Sequence, residues 1–187
     1  MWYKLNLIKF TGYHATESES AKDIIKNGFD TSRAQKRDDH WLGKGIYLFK
    51  YKTDAQTWTK SAPYIKNGPC VLECKVKVQS NYFLDLDDPK QMNDFLLYFD
   101  SALNELSKSG AIFSFKKKEQ AMHYGLDLYK EEYNIQMIKK TFKNNRTANV
   151  NNYYNLGYIK TEWIYPFSEV QYCVTNSISI FERSLVV

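Results

Sequence analysis

Three short runs of this chain carry residue types able to do chemistry. Gly43-Lys44-Gly45 leads directly into the apolar, aromatic run Ile46-Tyr47-Leu48-Phe49. Two glycines around a lysine read as a place where backbone approaches something closely, followed by a buried strand. The run has neither the Gly-x-Gly-x-x-Gly spacing of a dinucleotide fold nor a full phosphate-loop pattern. It gains meaning beside Gly12-Tyr13-His14-Ala15-Thr16 upstream and Gln171-Tyr172-Cys173-Val174 near the end. The three cysteines, Cys70, Cys74 and Cys173, are too sparse for a disulfide scaffold. They lack histidines at ligand spacing, so no metal is expected, and they read as small buried thiols of a reducing cytoplasm.

The elements that position these runs follow from periodicity. Trp2 to Phe10 alternates as a first strand, which Tyr13-His14-Ala15-Thr16 ends. Ser18 or Ser20 is placed to cap a helix, with Ala21, Ile24 and Ile25 at helical spacing and Gly28 closing it. A polar loop, Thr31 to Asp39, leads to Trp41 and the glycine pair. Thr53 to Ser61 reads as a helix with Ala55 and Trp58 on one face. Val71 to Val78 is the clearest strand: Leu72, Cys74, Val76 and Val78 alternate with Glu73, Lys75 and Lys77. Asp88-Pro89 opens a helix striped by Met92, Phe95, Leu96, Phe99, Leu103 and Leu106. A second long helix is expected from about Lys117 to Phe142. Asn144 to Asn155 reads as an exposed loop, and Tyr158 to Val186 as two or three closing strands. The order of elements predicts one α+β domain spanning residues 1–187.

Composition sets the outer limits. The 187 residues suffice for one buried core, and 43% hydrophobic content argues for a globular chain. Aromatics reach 16%, including 15 tyrosines, so stacking surfaces are plentiful. No apolar run nears the roughly 18–20 residues that span a bilayer, and the N-terminus shows no signal-peptide core. Hence a cytoplasmic protein without membrane partners is expected. Net charge is +5, unevenly placed: Lys108 to Arg146 holds nine basic and four acidic residues, whereas Asp85 to Glu105 holds six acids and one lysine. A basic face that attracts phosphates and a solvated helix surface both fit that asymmetry.

Together the motifs carry a resemblance. Tyr13-His14-Ala15-Thr16, then Ala21-x-x-Ile24-x-x-x-Gly28-Phe29, then Trp41-Leu42-Gly43-Lys44-Gly45-Ile46-Tyr47-Leu48-Phe49 resembles the NAD-binding half of ADP-ribosyltransferases. The similarity is to the branch with a His, Tyr and Glu triad, as in diphtheria toxin and the poly(ADP-ribose) polymerases. It covers residues 10–60 well and 168–180 weakly, while 85–160 match no known pattern. The resemblance implies a split β-sheet core with flanking helices, here with a helical insert. It also implies NAD as the substrate. His14 would donate to a ribose hydroxyl, the Ala15 backbone would hold the nicotinamide carboxamide, and Thr16 would reach the adenosine-side ribose. Tyr47, next to Gly45, would stack on nicotinamide. For His14 and Tyr47 the alternatives are a satisfied strand-end histidine and a core tyrosine.

The third triad member departs from the pattern. Where the family reads Glu-Tyr-Ile-Val, this chain reads Gln171-Tyr172-Cys173-Val174. Glu169 lies two residues earlier, on the same strand face and roughly 6–7 Å along the chain. Either Glu169 supplies the carboxylate by a small register shift, or Gln171 binds the ribose as a neutral acceptor. Cleaving the nicotinamide–ribose bond builds positive charge, which a nearby anion stabilises. Glu169 is therefore expected as the catalytic acid, with Gln171 orienting ribose or substrate and Glu162 as the reserve. The resemblance implies a mono-ADP-ribosyltransferase of a bacterial toxin–antitoxin or antiphage kind, with a cognate antitoxin as a possible partner. The acceptor is RNA or another nucleic acid, guided by Lys116, Lys117, Lys118, Lys139 and Lys140, or else a protein. An inactive NAD- or ADP-ribose-binding module is the alternative from outside catalysis.

Overall fold

A computed structural model describes residues 6–33, 40–110, 115, 118–143 and 168–186. The chain runs β1 (Leu7–Glu17), α1 (Ser18–Asn27), β2 (Ile46–Phe49), α2 (Lys52–Ser61), β3 (Pro69–Gln79) and β4 (Phe83–Asp85). It continues with α3 (Pro89–Lys108), α4 (Lys118–Tyr133), β5 (Met137–Lys143), β6 (Ser168–Val174) and β7 (Ile180–Leu185). The seven strands make one mixed sheet in the order β4-β5-β6-β2-β1-β3-β7, so the fold is α+β.

The sheet has two arms. β1 pairs antiparallel with β3 along its whole length, from Leu7↔Gln79 to Glu17↔Pro69, and β3 takes β7 on its other side. β2 pairs antiparallel with β6, β6 with β5, and β5 runs parallel to β4. The arms meet between β1 and β2 through one registered pair, Tyr13↔Phe49. The resemblance implies a split sheet, whereas the described strands form one continuous sheet joined through that single pair. Beyond that pair the strands diverge, and the His14 ring bridges the gap to the Tyr47 carbonyl at 2.9 Å.

Alternation distributes the core over both faces. Leu48, Leu72, Cys74, Val76, Tyr172 and Val174 pack on one side, where α1 contributes Ala21 and Ile24. Tyr47, Ile138 and Cys173 face the other side with Phe95 of α3 and Leu126 of α4. Phe49 and Val71 join Ala55 and Trp58 of α2 in a third cluster. Asp88 caps α3, its carboxylate accepting the backbone N–H groups of Lys90 and Gln91, with Pro89 in the first turn. Gly28 closes α1 at φ +86°, where a side chain would be strained.

Three expectations need correction. β1 does not stop at Tyr13 but carries Tyr13-His14-Ala15-Thr16 inside it, because β3 supplies pairing partners to the end. Neither Ser18 nor Ser20 caps α1; Glu17 holds that position, and the Ser18 hydroxyl donates to the Gly68 carbonyl at 2.7 Å. The helix expected over 117–142 ends at Tyr133. Asn134 takes φ +51°, and Met137–Lys143 become a strand between β4 and β6. Buried Met137 and Ile138 fit either helix or strand, and the sheet vacancy decides. The short β4 carries too few residues to show a period. Asn144 to Asn155, the start of the Tyr158–Val186 stretch and Glu162 lie outside the described residues. Among the described residues, no helix is long and apolar enough to cross a membrane.

Candidate functional site

Where β1 and β2 part, a cleft of about 560 Å³ opens. Its walls include His14, Ala15 and Thr16 of β1, Tyr47 of β2 with Gly45 just before it, and Gln171 of β6. Residues spread over 158 positions of sequence, from 14 to 171, meet there because β1, β2 and β6 are neighbours in the sheet. His14 is fixed by its bond to the Tyr47 carbonyl and by the edge of Phe29, 5.0 Å away between ring centroids. A ring nitrogen that contacts a carbonyl must donate to it, so the Nδ1–H tautomer is the one present.

Tyr47 is held at both ends. Its hydroxyl donates to the Gly43 carbonyl at 2.9 Å and accepts the Leu42 N–H at 2.8 Å. One ring face is stacked by His40, with centroids 4.7 Å apart and planes 18° from parallel. With His40 in place, a ligand ring can stack on Tyr47 only from the opposite side.

Glu169 and Gln171 both lie buried on the same face of β6. The Gln171 side-chain amide donates to the Glu169 carboxylate. A carboxylate only accepts, so this contact assigns the amide nitrogen to Glu169 and leaves the amide oxygen as the end that can accept from a ligand. Among the described residues, Gln171 is in the cleft wall, and Glu169 stands one hydrogen bond behind it.

The glycine pair has a physical explanation that differs from ligand approach alone. Gly43 has φ +80°, and a Cβ there would overlap Asp127 Oδ1 and stand 2.5 Å from Lys130 Nζ, both on α4. A Cβ on Gly45 would sit 2.5 Å from Cys173 Sγ and 2.9 Å from the Val174 carbonyl oxygen. Both glycines therefore make room for the protein's own elements, and Gly45 additionally faces the cleft. Burial pushes the Cys173 thiol up to about 11 and the Cys74 thiol up to about 12, so neither is a thiolate at neutral pH.

The basic residues fare differently. Lys139 on β5 bonds Asp85 at 2.7 Å and Asp87 at 3.2 Å. Lys140 bonds the Leu86 carbonyl at 2.8 Å and approaches Asp87 at 3.4 Å. Their charges are matched by the acidic run Asp85 to Asp87, and neither lysine is in the cleft wall described. Lys116 and Lys117 lie outside the described residues, as does the Lys118 side chain. The charged residues described in the cleft wall are Glu17, Asp23 and Asp30.

Sequence reasoning missed His40, Phe29, Trp58 and Tyr64 as cleft residues. Trp58 reads from sequence as the apolar face of α2, yet its indole N–H reaches the Tyr64 hydroxyl at 2.7 Å and both rings line the cleft. The position of His40, three residues ahead of Gly43, is the signal that could have found it. Among the described residues no group of three or more His, Cys, Asp or Glu side chains is arranged to hold a metal ion.

No protein-family profile matches the chain, and no solved structure matches it. The chain is similar to uncharacterized protein MJ0359 of Methanocaldococcus jannaschii, 23% identical over 188 aligned positions that cover 92% of this chain and 85% of that protein.

Proposed function

We propose that this protein is an NAD-dependent mono-ADP-ribosyltransferase whose reaction takes place in the β1–β2–β6 cleft. The observation that carries the reading is the convergence of His14, Ala15, Thr16, Gly45, Tyr47 and Gln171 on one cavity of suitable size. Nicotinamide stacks on the face of Tyr47 opposite His40, and the Ala15 backbone receives its carboxamide. The Gln171 oxygen accepts a ribose hydroxyl. Glu169, bonded behind Gln171, polarises that amide and places negative charge near the ribose as positive charge develops there. The leaving nicotinamide takes the bonding electrons of the broken C–N bond, and the acceptor nucleophile forms the new bond to the ribose carbon while its proton passes to solvent. A toxin or defence role acting inside the cell, held in check by an antitoxin, is compatible with this chemistry.

Two acceptor classes follow. A nucleic-acid strand would need an uncompensated basic track, whereas Lys139 and Lys140 are matched by Asp85 and Asp87. The pairing favours a protein acceptor over RNA as far as these two lysines go. The second reading is an NAD- or ADP-ribose-binding module without transfer, favoured by Gln171 standing in the wall where an acid would be needed. Incubating the full chain with labelled NAD and cell lysate, then digesting with nuclease or protease, separates the three. Label released by nuclease identifies a nucleic acid, and label released by protease identifies a protein. NAD binding without any label establishes the module, and no NAD binding at all overturns the proposal.

A further inference from the structure

The segment from His40 to Gly45 is irregular, and most of it is buried. Its backbone polar groups therefore need partners. α4 supplies most of them from one face, because His123, Asp127 and Lys130 recur at helical spacing. His123 Nδ1 meets the His40 carbonyl at 2.7 Å, and His123 Nε2 meets Asp127 Oδ2 at 3.0 Å. Asp127 Oδ1 accepts the Lys44 N–H at 2.8 Å and the Lys130 ammonium at 2.6 Å. Lys130 donates in turn to the Lys44 carbonyl at 2.8 Å and to the Leu42 carbonyl at 3.4 Å. Tyr47 serves the remaining Gly43 carbonyl and Leu42 N–H. The Gly43 N–H turns back to the His40 carbonyl at 3.2 Å.

The His123 ring spans two acceptors, the His40 carbonyl at one nitrogen and the Asp127 carboxylate at the other, and so ties the segment to α4. Burial works to raise the Asp127 carboxyl, but the bond from His123, the Lys130 ammonium and the Lys44 N–H outweigh it and hold Asp127 well below the usual carboxylate range. The other titratable groups around the clamp are Lys130 on α4, His40 and Lys44 on the segment, Tyr47 on β2 and Cys173 on β6. The Cys173 thiol lies 3.7 Å from the Lys44 carbonyl.

We propose that His123, Asp127 and Lys130 are positioning residues that hold His40 against Tyr47. Loss of these contacts then loosens the His40–Gly45 segment and weakens binding of a nicotinamide-bearing ligand. The ligand part rests on the NAD reading above; the segment part stands without it. This assigns α4, inside the stretch 85–160 that matches no known pattern, a task at the cleft.

NMR of the full chain, with ¹⁵N in histidine rings and backbone amides, tests the clamp directly. Against the wild type, His123→Ala is expected to shift the His40 ring and the amides of residues 42–45, while the β3 and β7 amides stay in place. A His123→Ala spectrum with the His40 and 42–45 signals unmoved overturns the clamp. In parallel, NAD affinity should fall about tenfold in His123→Ala and return in part in His123→Gln, whose amide can still donate to the His40 carbonyl. Unchanged affinity in His123→Ala overturns the positioning role. If the wild type binds no NAD, the NAD reading fails, while the spectra still decide the clamp. Should His123→Ala not fold, Lys130→Met, which removes the contacts to the Leu42 and Lys44 carbonyls, is read the same way.

Discussion

At the scale of single residues, Tyr47 and the Glu169–Gln171 pair separate chemistry from packing. Tyr47→Ala removes a stacking face and should weaken NAD binding about tenfold or more, measured by calorimetry. Tyr47→Phe keeps the ring but leaves the Gly43 carbonyl and Leu42 N–H without the hydroxyl that serves both. It should lower stability by about 1–3 kcal/mol in urea unfolding while retaining ligand stacking. The opposite pattern, with Tyr47→Ala binding normally, would make Tyr47 a core residue only. For the β6 pair, Glu169→Gln should remove most transfer and leave NAD affinity nearly unchanged, the signature of an interaction made in the transition state. Gln171→Glu places an acid in the cleft wall itself and should raise NAD cleavage, including hydrolysis. Full transfer by Glu169→Gln would show that its charge plays no part.

At the scale of elements, the loop between residues 40 and 45 is shaped by α4 and β6 behind it as much as by anything in front. Gly43→Ala should therefore destabilise the chain by about 2–4 kcal/mol, from a positive φ and overlap with the Asp127–Lys130 pair. Chemical denaturation checks this. Pairing it with Lys130→Ala, which removes part of the overlap, should give a non-additive loss. Strict additivity would show that Gly43 answers only to its backbone angle. The same elements explain which local signals were legible. Asp88-Pro89, Gly28 and the alternation of Leu72 to Val78 depend on neighbours a few residues away, and each is found where the sequence puts it. Met137–Lys143 depends on β4 and β6 for its conformation, and there the helical reading fails.

At the scale of the whole molecule, an ionic knot ties β4, β5 and the turn between β4 and α3. Burial would raise the Asp87 carboxyl, but bonds from the Thr141 hydroxyl and N–H, with Lys139, outweigh it and bring Asp87 down to about 2 from an ordinary 3.8. A depressed carboxylate contributes stability that is present above its unfolded value and lost as pH falls through the folded one. Asp87→Asn should thus cost about 1–2 kcal/mol at neutral pH, discounted for its partial exposure. That difference should shrink between about pH 4 and pH 2 and vanish below. Thermal unfolding across that range checks the sign, and a penalty constant down to pH 2 would refute the charge argument. The sequence alone determined what is local: the strand alternation of Leu72 to Val78, the Asp88-Pro89 start of α3 and the Gly28 end of α1. Only the tertiary structure decided that His14, Tyr47 and Gln171 share one cleft, that Gln171 faces it with Glu169 behind, and that Lys139 and Lys140 are matched by acids. It also showed what crowds Gly43 and Gly45. Those outcomes depend on strand order and on helices packed from elsewhere in the chain, and spacing along a sequence holds no record of which distant partner occupies the adjacent space.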